Sequence, residues 1–230
     1  MTNWGLAGTD KASQYNCDLV ADSVIVDILS EEGLGILSEE SGLHFPDRQI
    51  IVVVDPVDGS TNASRGIPWY ASSLCAVDDQ GMVASVVLNL ASGDRFEALR
   101  SKGATRNGEK ISPSGSKSMA SSIVATSGYP PKHLGWQQYR SLGAAALDIC
   151  AVAQGCVDAY FDAKDDAIHP WDYMGALLVC QEAGGVFCDA QDRELVITSF
   201  EQSRSLIVAS TPQLLEELKS LRADAIASSK

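Results

Sequence analysis

Two carboxylates and a run of helix-opening residues directly follow one strongly apolar stretch of the chain. Residues 50–54 read Ile-Ile-Val-Val-Val, and then come Asp55, Asp58 and, at 59–62, Gly-Ser-Thr-Asn. Two carboxylates this close repel each other unless a hard cation takes both as oxygen ligands. Gly59 lets the backbone turn sharply, and the residues after it open helices and leave amide N–H groups exposed. The combination indicates a metal site beside an anion site, which suits a phosphate ester.

The same residues also suit an ordinary turn that binds nothing. Pro56 fixes φ and removes an amide donor, so the sequence predicts that the strand ends at Asp55 and that Asp55 and Asp58 share one tight turn. Pro, Asp and Gly are common turn residues. The choice between a metal site and a plain turn depends on what the rest of the chain brings to this point.

Further acidic residues lie at the ends of other apolar segments. Asp22 lies in a predicted amphipathic helix at residues 18–29, where it also suits the positive end of the helix. Glu39 and Glu40 follow a short apolar run, and a solvated loop is the simpler interpretation of that pair. Glu39 and Glu40 can contribute to a metal site only if they fold beside Asp55.

A helix is predicted from Pro170 to Gln181, and it is apolar on nearly all sides. It should be central and buried. Asp172 near its amino end therefore needs either a cap or a cation. His169, just before the helix, is a candidate acid or base, although packing is the more common role of a single histidine.

The elements that must position these residues are mainly strands in the first half of the chain and both strands and helices in the second half. Residues 50–54 predict a strand buried on both faces. Between residues 71 and 111 alternating runs with turn residues between them predict an antiparallel sheet. The later elements are strands at 121–126, 157–161 and 205–209, and helices at 141–154 and after Thr211-Pro212.

Composition limits the classes of function. The 230 residues carry a formal net charge of −13, which repels nucleic acid and anionic membranes, so neither is an expected partner. The six cysteines form no Cys-x-x-Cys pair, and no secretory leader is recognised, so we expect reduced core residues in a cytoplasmic protein. No apolar run approaches the ~20 residues needed to span a bilayer.

Three acidic motifs, taken together in this order, resemble the inositol monophosphatase family. They are Ser38-Glu39-Glu40-Ser41, the segment 55–62, and Trp171-Asp172 followed by Glu182-Ala-Gly-Gly185. The resemblance covers about residues 11–220. It implies a layered α/β fold, an α-β-α-β-α sandwich of the inositol monophosphatase and fructose-1,6-bisphosphatase type. An N-terminal α+β lobe (1–120) and a C-terminal α/β lobe (121–230) would form one compact unit.

The resemblance also implies a set of site residues. Two or three Mg²⁺ ions, with Mn²⁺ as a substitute, would be held by Glu40, Asp55, the Val57 carbonyl, Asp58 and Asp172. The catalytic residues would be Ser60 and Asp22, which orient and deprotonate the attacking water, and Glu40, which helps to hold the first ion. The phosphate and alcohol parts of the substrate would meet Asp58, Gly59, Ser60, Gly143, Ala144, Ala145 and Asp162.

This chain departs from the family pattern in three places. Ser60 stands where the family usually has threonine, and the family's long first helix is largely missing. The loop from Asp162 to Pro170 is a few residues longer than in the animal enzymes. Which of Asp162, Asp165 and Asp166 meets the substrate is therefore open.

The expected function is a Mg²⁺-dependent phosphomonoesterase acting on inositol monophosphate or a similar small polyol phosphate. Alternatives within the fold are phosphatases for fructose 1,6-bisphosphate, histidinol phosphate or a nucleotide 3′-phosphate. An alternative of another class is a non-catalytic regulatory scaffold. The resemblance implies a homodimer.

Overall fold

The computed structural model describes residues 16–228. The helices are α1 (Asn16–Glu31), α2 (Ser60–Arg65), α3 (Ala145–Ala153), α4 (Pro170–Ala183) and α5 (Pro212–Ala227), with a 3₁₀ turn at Met119–Ser121. The strands of the first half are β1 (Gly35–Ser38), β2 (Gly42–His44), β3 (Ile51–Asp58), β4 (Ala71–Asp78), β5 (Gly81–Asn89), β6 (Arg95–Leu99), β7 (Gly103–Arg106) and β8 (Glu109–Lys110). Those of the second half are β9 (Ile123–Ser127), β10 (Gln138–Arg140), β11 (Ala159–Asp162), β12 (Val186–Asp189) and β13 (Leu206–Ala209).

The first sheet has the strand order β2-β1-β3-β4-β5-β6-β7-β8. β1 runs parallel to β3, and the remaining neighbours are antiparallel. Along β4 buried and half-buried residues alternate, which shows that one face of this part of the sheet is covered by the core. The predicted antiparallel sheet is confirmed, and Asn107 and Gly108 both have positive φ in the predicted tight turn.

Helix α4 lies at the centre of the molecule. From Tyr173 to Cys180 every residue is buried, because the helix packs on the inner face of the first sheet and on α3. Pro170 occupies its first turn, and Gly184 ends it with a φ of 98°. The prediction of a central, buried helix is confirmed.

The second sheet completes the layers. Its strand order is β10-β9-β11-β13-β12, with α3 packed against one face and α5 against the other. Helix α1 covers β1 and β3 on the outer face of the first sheet. The sequence of layers is therefore helix, sheet, helices, sheet, helix, and the predicted α-β-α-β-α sandwich is confirmed.

Two predicted boundaries were wrong. The strand does not end at Asp55: β3 continues to Asp58, because a bulge between Asp55 and Asp58 absorbs one extra residue. A bulge leaves a residue out of the ladder, so the missing amide of Pro56 costs no hydrogen bond there. The helix predicted at 141–154 begins only at Ala145, which leaves residues 141–144 as a loop.

The prediction of core cysteines is confirmed for three of the six, while Cys17 and Cys188 are half-buried. All six are free thiols, and Cys75, Cys150 and Cys180 are buried in the core. Cys156 is exposed, so its predicted core position was wrong. Within residues 16–228 none of the helices combines the length and the apolar character that crossing a bilayer requires.

A close approach between α4 and β4 at Gly175 gives a stability prediction. A Cβ added at Gly175 would lie 2.5 Å from Ser73 Oγ and 3.2 Å from the carbonyl oxygen of Leu74. We expect Gly175→Ala to lower the free energy of unfolding by ~1–3 kcal/mol, because the helix must move off the strand. Urea denaturation, read as the midpoint at constant m-value, measures this.

Ser73→Ala is the matched control. The Ser73 hydroxyl is buried without a hydrogen-bond partner among residues 16–228, so its removal should leave the midpoint unchanged or raise it. The double variant should be less destabilised than Gly175→Ala alone. An unchanged midpoint in Gly175→Ala would contradict the prediction, because it would show that α4 and β4 leave room for a methyl group at this position.

Candidate active site

The parallel pair β1 and β3 brings two acidic residues to the same edge of the first sheet. Ser38 pairs with Val54, and the Glu39 amide donates to the Val54 carbonyl at 3.1 Å, which extends the ladder by one residue. Successive side chains of a strand point to opposite faces. Glu39 and Asp55 therefore follow Leu37 and Val53 on the face that packs toward α4.

Asp172 reaches the same place from the start of α4. One of its carboxylate oxygens accepts the backbone N–H of His169 at 2.7 Å, which closes the first turn of the helix. One oxygen each from Glu39, Asp55 and Asp172 lie within 4.8 Å of one another. A set of three converging carboxylate oxygens suits a hard divalent cation such as Mg²⁺.

This set contains Glu39 where the sequence analysis had chosen Glu40. The choice between adjacent glutamates depends on the pleat, since a shift of one residue moves a side chain to the other face of the sheet. The Glu40 amide instead donates to Ser38 Oγ at 3.2 Å, on the far side of the strand. The geometry therefore favours Glu39 as the ligand of this set, and the metal and catalytic roles assigned to Glu40 stay predictions.

Burial and like charge make Asp55 and Asp172 unusually hard to ionise. Asp55 is 1% exposed, and burial, reinforced by Glu39 and Asp58, raises its pKa well above the usual range. Burial and then the charge of Asp58 raise the pKa of Asp172 to about 8. A bound cation would remove this repulsion, so the donor set fits a divalent metal.

Asp58 lies near the three-carboxylate set but outside it. Its carboxylate accepts the Ala146 amide at 2.7 Å, and this contact ties the end of β3 to the start of α3. Burial raises its pKa to about 8, while the Ala146 N–H acts in the opposite direction. Its role as a metal ligand stays a prediction, as does that of the Val57 carbonyl, which lies at the bulge.

The turn at Gly59 brings the first half of the chain against the second. Gly59 has a φ of 85° and precedes Ser60, the first residue of α2. A Cβ at Gly59 would lie 3.0 Å from Ala144 Cβ and 3.1 Å from the Gly143 carbonyl oxygen, so only glycine fits both the conformation and the space. The amides at this turn are therefore held next to the loop before α3.

Asn62 clamps the same junction. Its Nδ2 donates to the carbonyl of Trp69 at 2.8 Å and to that of Leu142 at 2.7 Å. From its sequence context Asn62 is recognisable only as a helix-opening residue. Its partner Leu142 is 80 residues away, and no local pattern indicates such a contact.

A cavity of about 240 Å³ opens beside Asp58 and Asp172. Four of the predicted substrate contacts line it, namely Asp58, Gly143, Ala144 and Ala145, together with Asp148, which the sequence analysis missed. The remaining lining residues are Thr126, Ser127, Gly128, Ser141, Ala167, Ile168 and Asp172. The cavity thus lies at the meeting point of β3 and the second half of the chain.

Asp162 does not line the cavity. It is fully buried and accepts hydrogen bonds from Tyr160 Oη and from the Leu206 amide, both at 2.7 Å. Both of its oxygens are engaged within the second sheet, so its predicted substrate contact is not supported. Asp165 pairs with Arg222 at 3.0 Å and Asp166 with Arg193 at 2.7 Å, so these ion pairs hold the acidic loop in place.

Asp22 and His169 occupy supporting positions. Asp22 is buried on α1 and accepts a hydrogen bond from Ser38 Oγ, next to Glu39 in the chain. Its predicted action on water together with Ser60 stays a prediction. The His169 ring stacks on Trp171 with centroids 4.8 Å apart, which agrees with packing as the role of this histidine.

Buried and half-buried carboxylates gathered where a central helix meets a sheet, beside a cavity, are typical of metal-dependent enzymes of the layered α/β class. Comparison with known proteins narrows this class to one family. The chain belongs to the inositol monophosphatase family, whose sequence pattern matches residues 8–227. Members of this family are hydrolases of the phosphatase type.

Individual relatives carry two kinds of name. The chain is 33% identical over 221 residues to the fructose-1,6-bisphosphatase/inositol-1-monophosphatase of Archaeoglobus fulgidus, covering 92% of this chain and 86% of that one. It is 32% identical over 192 residues to the Nus factor SuhB of Escherichia coli, covering 76% and 70%. A solved structure from Pyrococcus horikoshii, described as having similarities to inositol-1 monophosphatase, matches with a TM-score of 0.85, 25% identity and coverage of 96% and 90%.

The raised carboxyl pKa values predict that Mg²⁺ stabilises the chain more at pH 8 than at pH 5. A raised pKa means that the folded chain holds protons the unfolded chain has lost, so without metal the free energy of unfolding falls as pH rises from about 4 toward 8. Excess Mg²⁺ should raise Tm by roughly 5–10 °C at the higher pH. Thermal unfolding with Mg²⁺ or chelator at both pH values measures this, and equal shifts would contradict it.

The two adjacent glutamates offer a matched pair for the metal site. We expect Glu39→Gln to weaken Mg²⁺ or Mn²⁺ binding by roughly tenfold or more, because it removes one charged ligand. Glu40→Gln should change the dissociation constant by less than about threefold. Calorimetric titration of both variants decides between them, and the reverse order would restore Glu40 as the ligand.

Proposed function

We propose that this protein is a Mg²⁺-dependent phosphomonoesterase that hydrolyses inositol monophosphate or a similar small polyol phosphate. The observation that carries the proposal is the convergence of Glu39, Asp55 and Asp172 beside a cavity lined by residues of both halves of the chain. Family membership supports the reaction class. The substrate class rests on the size and chemistry of the cavity.

The residues present fit a magnesium centre. Glu39, Asp55 and Asp172 would hold the metal, and Asp58 and the Val57 carbonyl are further candidate ligands. When bound, Mg²⁺ supplies Lewis-acid chemistry that activates water and neutralises negative charge on the phosphate. A bound cation would favour the charged form of these carboxylates, which burial alone disfavours.

The chain's own groups complete the reaction. We assign orientation and deprotonation of the attacking water to the Ser60 hydroxyl and Asp22. The amides of Gly59 and Ser60, at the start of α2, donate to phosphate oxygens because a first helical turn has no carbonyl partners for them. Asp58 and the backbone of residues 143–145 face the alcohol group of the ester.

The cavity favours a monophosphate with neutral hydroxyl groups. About 240 Å³ accommodates one small ring, and carboxylates and backbone groups line it. Among the described residues that line this cavity there is no Lys or Arg, which a second phosphate would require. Inositol monophosphate therefore fits this cavity better than fructose 1,6-bisphosphate does. Histidinol phosphate and nucleotide 3′-phosphates, which are also monoesters, rank between these two substrates.

A regulatory scaffold is the second candidate, because one group of relatives is named Nus factor SuhB. The retained carboxylates favour catalysis, since a scaffold gains nothing from repulsive buried acids. The net charge of −13 also opposes direct contact with RNA. Both roles can coexist in one chain, so an interaction with the transcription machinery would not by itself exclude the phosphatase activity.

Phosphate release from inositol 1-phosphate across a Mg²⁺ titration tests the proposal. Fructose 1,6-bisphosphate, histidinol phosphate and a nucleotide 3′-phosphate should be assayed beside it. We expect Mg²⁺-dependent release with the highest kcat/KM for inositol 1-phosphate. Asp55→Asn should lower kcat at least ~100-fold, because its carboxylate is the most buried of the metal set.

Asp79→Ala is the matched control for a lost aspartate. Asp79 lies exposed in the turn between β4 and β5, so this variant should keep normal turnover. Release without Mg²⁺, or normal activity in Asp55→Asn at limiting Mg²⁺, would refute the metal assignment. Release from none of the esters, together with recovery of a transcription-factor complex, would favour the scaffold.

A further inference from the structure

Asp148 is a buried carboxylate that the proposed reaction does not yet use. It lies in the first turn of α3, only 1% exposed, and it lines the same cavity as Asp58 and Asp172. Its Oδ1 accepts the indole N–H of Trp69 at 2.9 Å. Among residues 16–228 no hydrogen-bond partner engages its Oδ2.

An acceptor oxygen without a partner inside a protein loses its hydration without compensation. In the described part of the chain, the fully buried side-chain atoms without a hydrogen-bond partner are the hydroxyl oxygens of Ser73 and Ser85. Neither carboxylate oxygen of Asp148 belongs to this group. The second oxygen of Asp148 therefore keeps contact with the cavity, which is the space next to this side chain. A ligand with a hydrogen-bond donor in that space would satisfy it.

Trp69 fixes where this oxygen lies. Its indole holds Asp148, while its backbone carbonyl accepts Asn62 Nδ2 at 2.8 Å and lies 3.1 Å from the position of a Cβ on Gly59. One residue thus contacts both the turn assigned to the phosphate and the carboxylate that faces the cavity. The separation between the two is set by a single rigid side chain.

We propose that Asp148, oriented by Trp69, determines specificity by accepting a hydrogen bond from a hydroxyl group of the substrate alcohol. The inference rests on the proposed function, because that function places the alcohol in this cavity. The donor class is a neutral hydroxyl, since a carboxylate oxygen accepts an O–H and repels a second phosphate. Asp148 acts on binding and orientation of the alcohol and takes no part in the proton transfers assigned to Ser60 and Asp22.

The test compares an ester that carries hydroxyl groups with one that carries none. Inositol 1-phosphate and 4-nitrophenyl phosphate are assayed with the wild type, Asp148→Ala, Trp69→Phe and the control Asp79→Ala. Asp148→Ala should lower kcat/KM for inositol 1-phosphate ~10–100-fold, mainly through KM, because a charged acceptor is lost. With 4-nitrophenyl phosphate the loss should stay below about threefold, since this ester makes no such hydrogen bond.

Trp69→Phe keeps an aromatic ring at this position and removes the indole N–H donor together with the five-membered ring. It should reproduce the substrate-selective loss in a weaker form, which keeps the inference testable if Asp148→Ala does not fold. Equal losses for both esters, or a changed Mg²⁺ requirement, would overturn the inference, because Asp148 would then support the fold or the metal site.

A binding measurement separates this inference from the proposed function. If the wild type hydrolyses neither ester, the proposed function fails, and calorimetric titration with inositol 1-phosphate decides the inference alone. A dissociation constant about tenfold higher in Asp148→Ala than in the wild type would support it. An equal dissociation constant, or no binding by the wild type, would overturn it.

Discussion

Repulsion between buried carboxylates is the constraint on which the rest of this structure depends. Glu39, Asp55 and Asp172 converge with Asp58 nearby, and like charge adds to burial in raising the pKa of Asp55, Asp58 and Asp172. Part of the free-energy cost of burying these charges is offset locally, because Asp172 lies in the first turn of α4 and Asp58 accepts a hydrogen bond from a backbone amide at the start of α3. Amides and helix ends lower the cost, but a hard cation removes the repulsion itself.

Holding such a set together requires rigid elements that meet at one point. The edge of the parallel pair β1 and β3 supplies two acids, and α4 supplies the third from between the two sheets. The far end of α4 is fixed as well, because the carboxylate of Glu182 accepts the amides of Ser101 and Gly103 at 2.8 and 2.9 Å. The Glu-Ala-Gly-Gly segment therefore anchors the helix that carries Asp172, and its contribution to the site is indirect.

Local patterns predicted the elements, and long-range contacts decided the details that they could not. The uniform apolar character of α4 and the turn residues between the strands of residues 71–111 have direct signatures in sequence, and both the helix and the antiparallel sheet were predicted correctly. The choice of Glu39 over Glu40 depends on how β1 registers with β3, and the burial of Asp162 depends on Leu206, which is 44 residues away. The bulge at Pro56 also needs β4 as a partner, so a proline that breaks an isolated strand pattern is tolerated in the folded sheet.

The two halves of the chain contribute different parts of the site, and this division bears on how substrates differ between relatives. The first half provides Glu39, Asp55 and the turn at Gly59, while residues 126–172 provide most of the cavity wall. Asn62 and Trp69 fasten the two parts together through Leu142 and Asp148. Substitutions in the wall can therefore change the alcohol that is accepted without disturbing the carboxylates. That separation is a physical reason why relatives that carry different names can share one fold.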